Sequence, residues 1–217
     1  MKDDKVDYLF QSGAKAYWPH LDLVASLHSA YAKRHGMKYV CYRGPFPASP
    51  WVAPKALQTT FDTVWKQWLL MLELIRDQNT GWLFWVDGDA IIVGDKDPRP
   101  VMEDCLVGMA WYPENKNHIA HYHRGVMLLR ACEQVAELLE HVLEEGPGKH
   151  KYYDQGILNR HLTKPQWRGK IKTLPHEWNS CVKINGPEEC VIRAWHGMGP
   201  IKSRFPRMQA EMRRRRL

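Results

Sequence analysis

The sequence predicts a single α/β domain in which helices flank a mostly parallel central sheet. Residues 6–10, 21–35 and 38–42 have in turn the patterns of a strand, an amphipathic helix and a second strand, which is the order of a βαβ unit. Residues 82–86 form an aromatic and β-branched run of strand length, typical of a strand that is buried on both faces. A chain of 217 residues is long enough for one large domain with a sizeable core.

Hydrophobic periodicity predicts the remaining helices and strands. Further helices are expected at residues 63–79, at residues 132–145 and from residue 152 onwards. Further strands are expected at residues 105–111, 122–129, 171–174 and 191–195. Residues 44–54, which hold four prolines, cannot form regular structure and are expected to be a functional loop. The expected organisation is a domain of residues 1–205 followed by a basic tail of residues 206–217.

The composition bears on the compartment and on the partners. The five cysteines form no Cys-x-x-Cys pair, so the sequence predicts reduced thiols and neither a disulfide framework nor a zinc site. No apolar signal segment follows the charged N-terminus, and no stretch reaches the length of a transmembrane helix. We therefore expect a cytoplasmic protein without a membrane span. A formal net charge of +7 favours anionic partners such as nucleotides, nucleic acid or phosphorylated glycans.

Two carboxylates directly follow the predicted central strand. Asp87 and Asp89 flank Gly88, which permits a sharp turn and places no side chain between them. They lie at the C-terminal end of a strand, where α/β sheets bind their ligands. Two carboxylates so close repel each other unless a cation lies between them. A hard divalent ion with free positions for phosphate oxygens is the expected partner, and a solvated Asp-Gly turn is the alternative.

The end of the last predicted strand carries groups that suit the same ligand. His196, Gly199 and Lys202 follow that strand at three-residue spacing. The imidazole would complete a divalent metal site, the glycine would admit a diphosphate, and the lysine would supply positive charge. A structural role for the histidine is the alternative.

Three further parts of the sequence are candidate functional positions. The loop after the first strand suits either nucleotide binding or a plain turn, and consists of Gln11, Ser12 and Gly13. Gly125 interrupts the strand at residues 122–129, which indicates close approach of a ligand or of another backbone segment. Asp154 stands at the start of the helix that opens at residue 152, where helix capping is an alternative role.

Five stretches, taken in order, resemble metal-dependent glycosyltransferases of the Rossmann-like GT-A fold. Residues 31–36 (Tyr-Ala-Lys-Arg-His-Gly), the pair Trp65-Lys66 and the turn at residues 87–90 (Asp-Gly-Asp-Ala) resemble the retaining galactosyl-, mannosyl- and xylosyltransferase family. Residues 124–126 (Arg-Gly-Val) are similar to the Asn-x-Gly-Val strand of that family, with an arginine in place of the usual small residue. Residues 196–202 resemble the closing His-x-x-Gly-x-x-Lys motif of the glycogenin and lipopolysaccharide galactosyltransferase family. The resemblance extends from Tyr8 to Lys202.

The resemblance implies a role for each matching residue. Asp87, Asp89 and His196 would hold Mn²⁺ or Mg²⁺, which would bridge the phosphates of a nucleotide sugar and assist departure of the diphosphate as a Lewis acid. The residues expected to contact the donor are Gln11, Ser12, Gly13, Lys66, Asp87, Gly125, Gly199 and Lys202. Asp154 and Gln155 would form the polar pair near the anomeric carbon. The donor would be UDP-glucose or UDP-galactose, and the reaction would retain configuration.

Three functions remain open from the sequence. A nucleotide-sugar glycosyltransferase is the leading hypothesis. A nucleotidyltransferase also uses acidic turns on a metal–diphosphate, but residues 11–15 (Gln-Ser-Gly-Ala-Lys) are a weak version of its glycine-rich basic loop. A non-catalytic nucleic-acid-binding module would explain the basic surface, but it gives no reason for Asp87, Asp89 and His196 to lie at strand ends.

Two acceptors are also open. One is a cytoplasmic glycan or a lipid-linked precursor, and the other is DNA with hydroxymethylated bases. The DNA hypothesis rests on basic residues that could track phosphates, namely Arg160, Lys164, Arg168, Lys170, Lys172, Arg204 and Arg207. It also needs aromatic side chains that could stack on a flipped base, for which the candidates are Phe46, Trp51 and Trp167.

Overall fold

The computed structural model describes residues 5–44, 58–113, 121–146, 153–182, 188–196 and 200–217. Within these ranges, the side chains of residues 58–63 and 153 are not described. The predicted stacking residues Phe46 and Trp51 and the predicted diphosphate-binding residue Gly199 lie outside the described residues.

Helices and strands alternate through the first half of the chain, as the sequence predicts. The strands are β1 (Val6–Ser12), β2 (Met37–Tyr42), β3 (Thr80–Val86), β4 (Ala90–Ile92), β5 (Val107–Tyr112), β6 (His121–Arg130), β7 (Ile171–Leu174), β8 (Ser180–Cys181) and β9 (Ile192–Ala194). The helices are α1 (Trp18–Arg34), α2 (Gln58–Arg76), α3 (Glu133–Glu145), α4 (Tyr153–Leu162) and α5 (Ile201–Arg215). Short 3₁₀ turns connect several of them, including His176–Asn179 before β8.

The main sheet has the strand order β2-β1-β3-β6-β5-β7. The pairs β1–β2, β1–β3 and β5–β7 are parallel, whereas β3–β6 and β5–β6 are antiparallel. A smaller sheet has the order β4-β9-β8. The predicted α/β class with a central sheet between helices is therefore confirmed, with antiparallel pairing confined to the two contacts that β6 makes in the main sheet.

Strand β3 is the centre of the core, because its two faces pack against different layers. Leu83 and Trp85 belong to the cluster that includes Trp68 of α2, whereas Phe84 belongs to the cluster that includes Trp178. Burying the large apolar side chains of this strand contributes roughly 1.5–3 kcal/mol for each of them. Consecutive apolar residues are therefore needed here, which is the reason for the unbroken run at residues 82–86.

Trp167 also belongs to the core. It is only 3% exposed and packs in the same cluster as Trp68. The expectation that Trp167 could stack on a flipped base is therefore wrong, since a side chain at this depth serves packing.

The C-terminal segment is a helix and not a solvated tail. Helix α5 extends to Arg215, so the expected boundary at residue 206 falls inside it. Met208 of this helix is fully buried against Val24, Ile91 and Trp195. Seven arginines and lysines in residues 201–217 mask the apolar spacing, and Pro206 argues against a helix interior. These two features explain why the sequence pattern does not reveal α5.

A buried histidine links α1 to the sheets. His28 is fully buried, and its Nε2 accepts a hydrogen bond of 2.9 Å from the backbone N–H of Ile92. Its hydrogen must therefore lie on Nδ1, which donates to Oε1 of Gln11 at 2.7 Å. Burial lowers the pKa of His28 from 6.5 to about 3, so the folded protein holds this ring neutral.

The neutral state of His28 predicts a dependence of stability on pH. The unfolded chain binds a proton at His28 below pH 6.5, and the folded chain does not. The contribution is therefore present above that pH and is lost as the pH falls towards about 3. Between about pH 8 and pH 5 the loss is about 2 kcal/mol. Over this pH range, the free energy of unfolding measured in urea should therefore fall by about 2 kcal/mol less in His28→Asn than in the wild type. The control is His141→Asn, at an exposed histidine, and equal slopes in the two variants would contradict the prediction.

Candidate active site

The Asp87-Gly88-Asp89 turn closes the end of β3 and leads directly into β4. The N–H of Ala90 donates to the carbonyl oxygen of Asp87 at 3.1 Å, which closes the turn. Nε1 of Trp85 donates to Oδ1 of Asp87 at 3.1 Å. The N–H of Asp87 donates to the carbonyl oxygen of Gly125 on β6 at 2.8 Å. The backbone of Asp87 is thus held by β6, and its side chain is held by Trp85 of β3.

His196 reaches this turn because β9 pairs with β4. In the antiparallel register, Ala194 lies opposite Ala90, and the N–H of Trp195 donates to the carbonyl oxygen of Asp89 at 3.0 Å. The next side chain is His196, whose Nδ1 lies 3.0 Å from Oδ1 of Asp89 and 3.5 Å from Oδ2 of Asp87. The pairing of two short strands therefore assembles the three residues that the sequence predicts as metal ligands.

The two aspartates differ in their electrostatics although one residue separates them. Burial raises the pKa of Asp87 above its ordinary value, and Arg124 and His196 only partly oppose this. Burial also acts to raise the pKa of Asp89, but His196 and Arg204 outweigh it and hold the pKa well below its usual range. The pKa of His196 is raised, because Asp89 and Asp87 outweigh the effect of burial. The cluster therefore favours a negative Asp89 beside a positive imidazole.

A divalent cation fits this donor set. One ligand atom each from Asp87, Asp89 and His196 lies within 4.8 Å of the others, so these residues could hold a metal ion. Carboxylate oxygen and imidazole nitrogen are ligands that Mn²⁺ accepts, and Mg²⁺ favours the oxygens. In the present arrangement His196 and Arg204 pair with the two carboxylate oxygens of Asp89, which are among the oxygens that a cation would bind.

Gly125 is required for the position of the histidines. A Cβ atom at this residue would lie 2.3 Å from Nε2 of His196 and 2.9 Å from Cε1 of His123. The predicted close approach at Gly125 is therefore made by two imidazole rings, and the glycine does not line the cleft. Its effect on a ligand would be indirect, through the placement of His196.

Arg204 of α5 reaches the site, although the sequence pattern points to Lys202. Its Nη1 donates to Oδ2 of Asp89 and to the hydroxyl of Tyr17 at 3.2 Å. Burial beside Asp89 raises the pKa of Tyr17 to about 12, so this hydroxyl stays protonated. Lys202 is exposed in the first turn of α5. The helical period of α5 directs Arg204 towards the site. This could not be recognised from the sequence, because the sequence pattern did not predict α5.

Arg124 connects the turn to the predicted polar pair on α4. Its Nε forms an ion pair of 2.8 Å with Oδ2 of Asp154, and Nε1 of Trp68 donates to the same oxygen at 2.9 Å. The N–H of Arg124 donates to Oε1 of Gln155 at 3.1 Å. Asp154 and Gln155 thus lie beside Arg124, and their described contacts hold it in place; their place near the anomeric carbon stays a prediction.

An open cleft lies in front of the turn. It is lined by Ser12, Gly13, Ala14, Tyr17, Val64, Gln67, Asp87, Gly88, Asp89 and Arg124. Ser12 and Gly13 of the predicted loop therefore face the cleft, together with Asp87 and Asp89. The parallel strands β1 and β3 both end here, and α/β sheets generally bind their ligands outside the carboxyl ends of the strands.

Like Gly125 and Lys202, two more of the predicted donor-binding residues do not line this cleft. Gln11 is fully buried, and its Nε2 donates to the carbonyl oxygens of Val86 and Asp87, at 3.3 Å each. It therefore holds the end of β3 and cannot contact a base directly. Lys66 is half-buried on α2, and the side chain next to it, Gln67, is the one that faces the cleft.

Comparison with known proteins identifies the fold. No protein-family model matches the sequence, and no curated protein matches it. A solved structure of similar fold is that of a glycosyltransferase involved in the glycosylation of the major capsid of PBCV-1. The two share 15% sequence identity with a TM-score of 0.69, over 94% of this chain and 99% of the other. At this identity the likeness establishes a shared fold. In the described part of the chain, no helix is long and apolar enough to cross a membrane.

Proposed function

We propose that this protein is a metal-dependent glycosyltransferase that moves a hexose from a nucleotide sugar to an acceptor hydroxyl. The observation that carries the proposal is the Asp87, Asp89 and His196 cluster, which lies at the wall of a cleft where β1 and β3 end. The fold that the chain shares with a glycosyltransferase supports it. A divalent ion bound by these residues would supply positive charge to the departing diphosphate.

Unpartnered polar atoms in the cleft wall support a polar ligand. Among the described residues, Oγ of Ser12, Oε1 of Gln67 and Nη1 of Arg124 are buried without a hydrogen-bond partner. Buried polar groups are usually paired with protein, ordered water or a ligand, and these three atoms belong to residues that line the cleft. We assign them to the donor, with Ser12 and Gln67 near its hydroxyl or base groups.

Positive charge in the site suits a diphosphate. Burial acts against the charge of Arg124, but the nearby Asp154 and Asp87 outweigh it and raise the pKa of Arg124, so the guanidinium stays charged. Arg204 is kept charged in the same way by Asp89, and it donates a hydrogen bond to the hydroxyl of Tyr17. We assign to these two arginines the stabilisation of negative charge on the leaving group. Lys202 and Gly199 remain candidates for the same phosphates, as the resemblance implies. Asp154 is then a positioning residue for Arg124, and a retaining mechanism through Asp154 or Gln155 is not required.

We favour a glycan acceptor over DNA. The protein of similar fold is a glycosyltransferase involved in the glycosylation of the major capsid of PBCV-1. Of the basic residues that could track DNA, Arg160 pairs with Glu145 and Lys172 pairs with Glu103 at 2.6 Å. These ion pairs neutralise charge that DNA binding would need.

Donor hydrolysis tests the proposal directly. Incubation with UDP-glucose or UDP-galactose and Mn²⁺ should slowly release UDP, and EDTA should stop the release until Mn²⁺ is restored. UDP with Mn²⁺ should raise the melting temperature, because a ligand of the native state stabilises it by mass action. GDP-mannose is the matched control donor. Hydrolysis unaffected by EDTA would contradict the metal role, whereas release of pyrophosphate from UTP in the presence of a sugar phosphate would indicate a nucleotidyltransferase.

A further inference from the structure

We infer that Asn179 is a positioning residue, which fixes the hydrogen of His196 on Nε2 and so leaves Nδ1 free to bind the metal ion. This inference rests on the metal site of the proposed function, and it adds a residue that no sequence motif marks. Asn179 ends the 3₁₀ turn His176–Asn179 and is fully buried. The hydroxyl of Tyr112 donates to its backbone carbonyl oxygen at 3.1 Å, which fixes the main chain at this residue.

A series of hydrogen bonds runs from Gly125 through His123 and Asn179 to His196. The donor and the acceptor of each bond follow from the first one. The N–H of Gly125 can only donate, and it lies 3.1 Å from Nδ1 of His123. Nδ1 of His123 is therefore an acceptor and carries no hydrogen. Nδ2 of Asn179 lies 3.2 Å from the same nitrogen, so the amide must present its NH₂ group to His123.

The other end of the amide then determines the hydrogen position on His196. With its NH₂ group towards His123, Asn179 presents Oδ1 to Nε2 of His196 at 3.1 Å. A carbonyl oxygen can only accept, so Nε2 of His196 must carry a hydrogen. When this imidazole is neutral its single hydrogen is thus held on Nε2, and its lone pair lies on Nδ1. Nδ1 is the nitrogen that faces both carboxylates, at 3.0 Å from Asp89 and 3.5 Å from Asp87.

Without Asn179 the opposite tautomer would be favoured. Oδ1 of Asp89 accepts a hydrogen bond from Nδ1 of His196 in the present arrangement, so this carboxylate favours a hydrogen on Nδ1. That hydrogen would block the lone pair that a metal ion needs. Metal-binding histidines generally donate their second N–H to a fixed acceptor, and loss of that acceptor weakens metal binding by about 10- to 100-fold. Asn179 has the geometry of that acceptor.

The test measures Mn²⁺ binding without any sugar donor. Titration calorimetry should give an affinity for Mn²⁺ about 10- to 100-fold lower in Asn179→Leu than in the wild type. Electron spin echo modulation of bound Mn²⁺ should show a coordinated imidazole nitrogen in the wild type and lose it in Asn179→Leu. Asn179→Asp keeps an acceptor for Nε2 of His196, so it should retain both the affinity and the nitrogen signal. A purely structural role would not distinguish the aspartate from the leucine in this way.

Each outcome has a separate meaning. If Asn179→Leu keeps the affinity and the nitrogen signal of the wild type, the positioning role is wrong. If Asn179→Leu does not fold, Asn179→Ser carries the same expectation, because the serine hydroxyl is too short to reach Nε2. If the wild type itself shows no Mn²⁺ binding or no coordinated nitrogen, the metal site of the proposed function fails instead.

Discussion

Asp89→Asn should slow sugar transfer by about a thousandfold, because losing a metal-ligating carboxylate removes several kcal/mol of transition-state stabilisation. The same substitution should lower the free energy of unfolding at neutral pH by about 1.5–3 kcal/mol, the typical contribution of a hydrogen bond to a charged group. The reason is that Asp89 pairs with His196 and Arg204 in a buried site. Its depressed pKa means that this stability is present at neutral pH and is lost as the pH falls through the folded-state pKa. Initial rates with UDP-glucose and urea unfolding measure the two effects.

Asp87→Asn is the matched control for the stability effect. Burial raises the pKa of Asp87, so its charged form is disfavoured in the fold, and an amide retains the acceptor for Nε1 of Trp85. Asp87→Asn should therefore lose activity as severely as Asp89→Asn but keep nearly the wild-type stability. Equal destabilisation by the two substitutions would contradict this assignment of the charges. An Asp89→Asn protein with more than a tenth of the wild-type rate would contradict the metal role.

Met208→Ala should destabilise the protein by about 2–5 kcal/mol, the usual cost of truncating a buried methionine. Met208 is fully buried and packs with Val24, Ile91 and Trp195, so the truncation leaves a cavity between α5, α1 and the small sheet. Denaturant unfolding monitored by tryptophan fluorescence measures the effect.

The adjacent exposed residue provides the control for Met208. Arg207 lies on the solvent side of the same helix, and Arg207→Ala should change stability by less than about 0.5 kcal/mol. If Met208→Ala behaved like Arg207→Ala, α5 would not be an integral part of the domain.

The parts of the fold that sequence could predict are those with local patterns. The apolar run at residues 82–86 and the Asp-Gly-Asp turn that follows predict a core strand with a ligand site at its end, and strand-end logic also selects His196. The helical spacing of Val135, Leu138, Leu139 and Val142 predicts α3 within one residue. In each case the signal lies in neighbouring residues, where period and punctuation can be read.

The parts that sequence could not predict depend on contacts between distant segments. Arg204 reaches Asp89 only because α5 packs across α1 and the small sheet. Asn179 contacts His123 of β6 and His196, which follows β9, and nothing in its local sequence distinguishes it from a turn residue. Gln11 follows the rule for a ligand-binding loop, but its side chain turns inwards to the end of β3. The residue types alone indicated a polar site, whereas the contacts that each of these side chains makes could be identified only from the folded structure.

The pairing of β4 with β9 also bears on when the candidate site is completed during synthesis. Ribosomes make a chain from its N-terminus, so N-terminal residues emerge first. Asp87 and Asp89 therefore emerge well before His196 and Arg204. Until then the two carboxylates lack both the imidazole and the guanidinium that offset their charge. A nascent chain in which every strand of the main sheet has emerged would therefore still lack the complete candidate site.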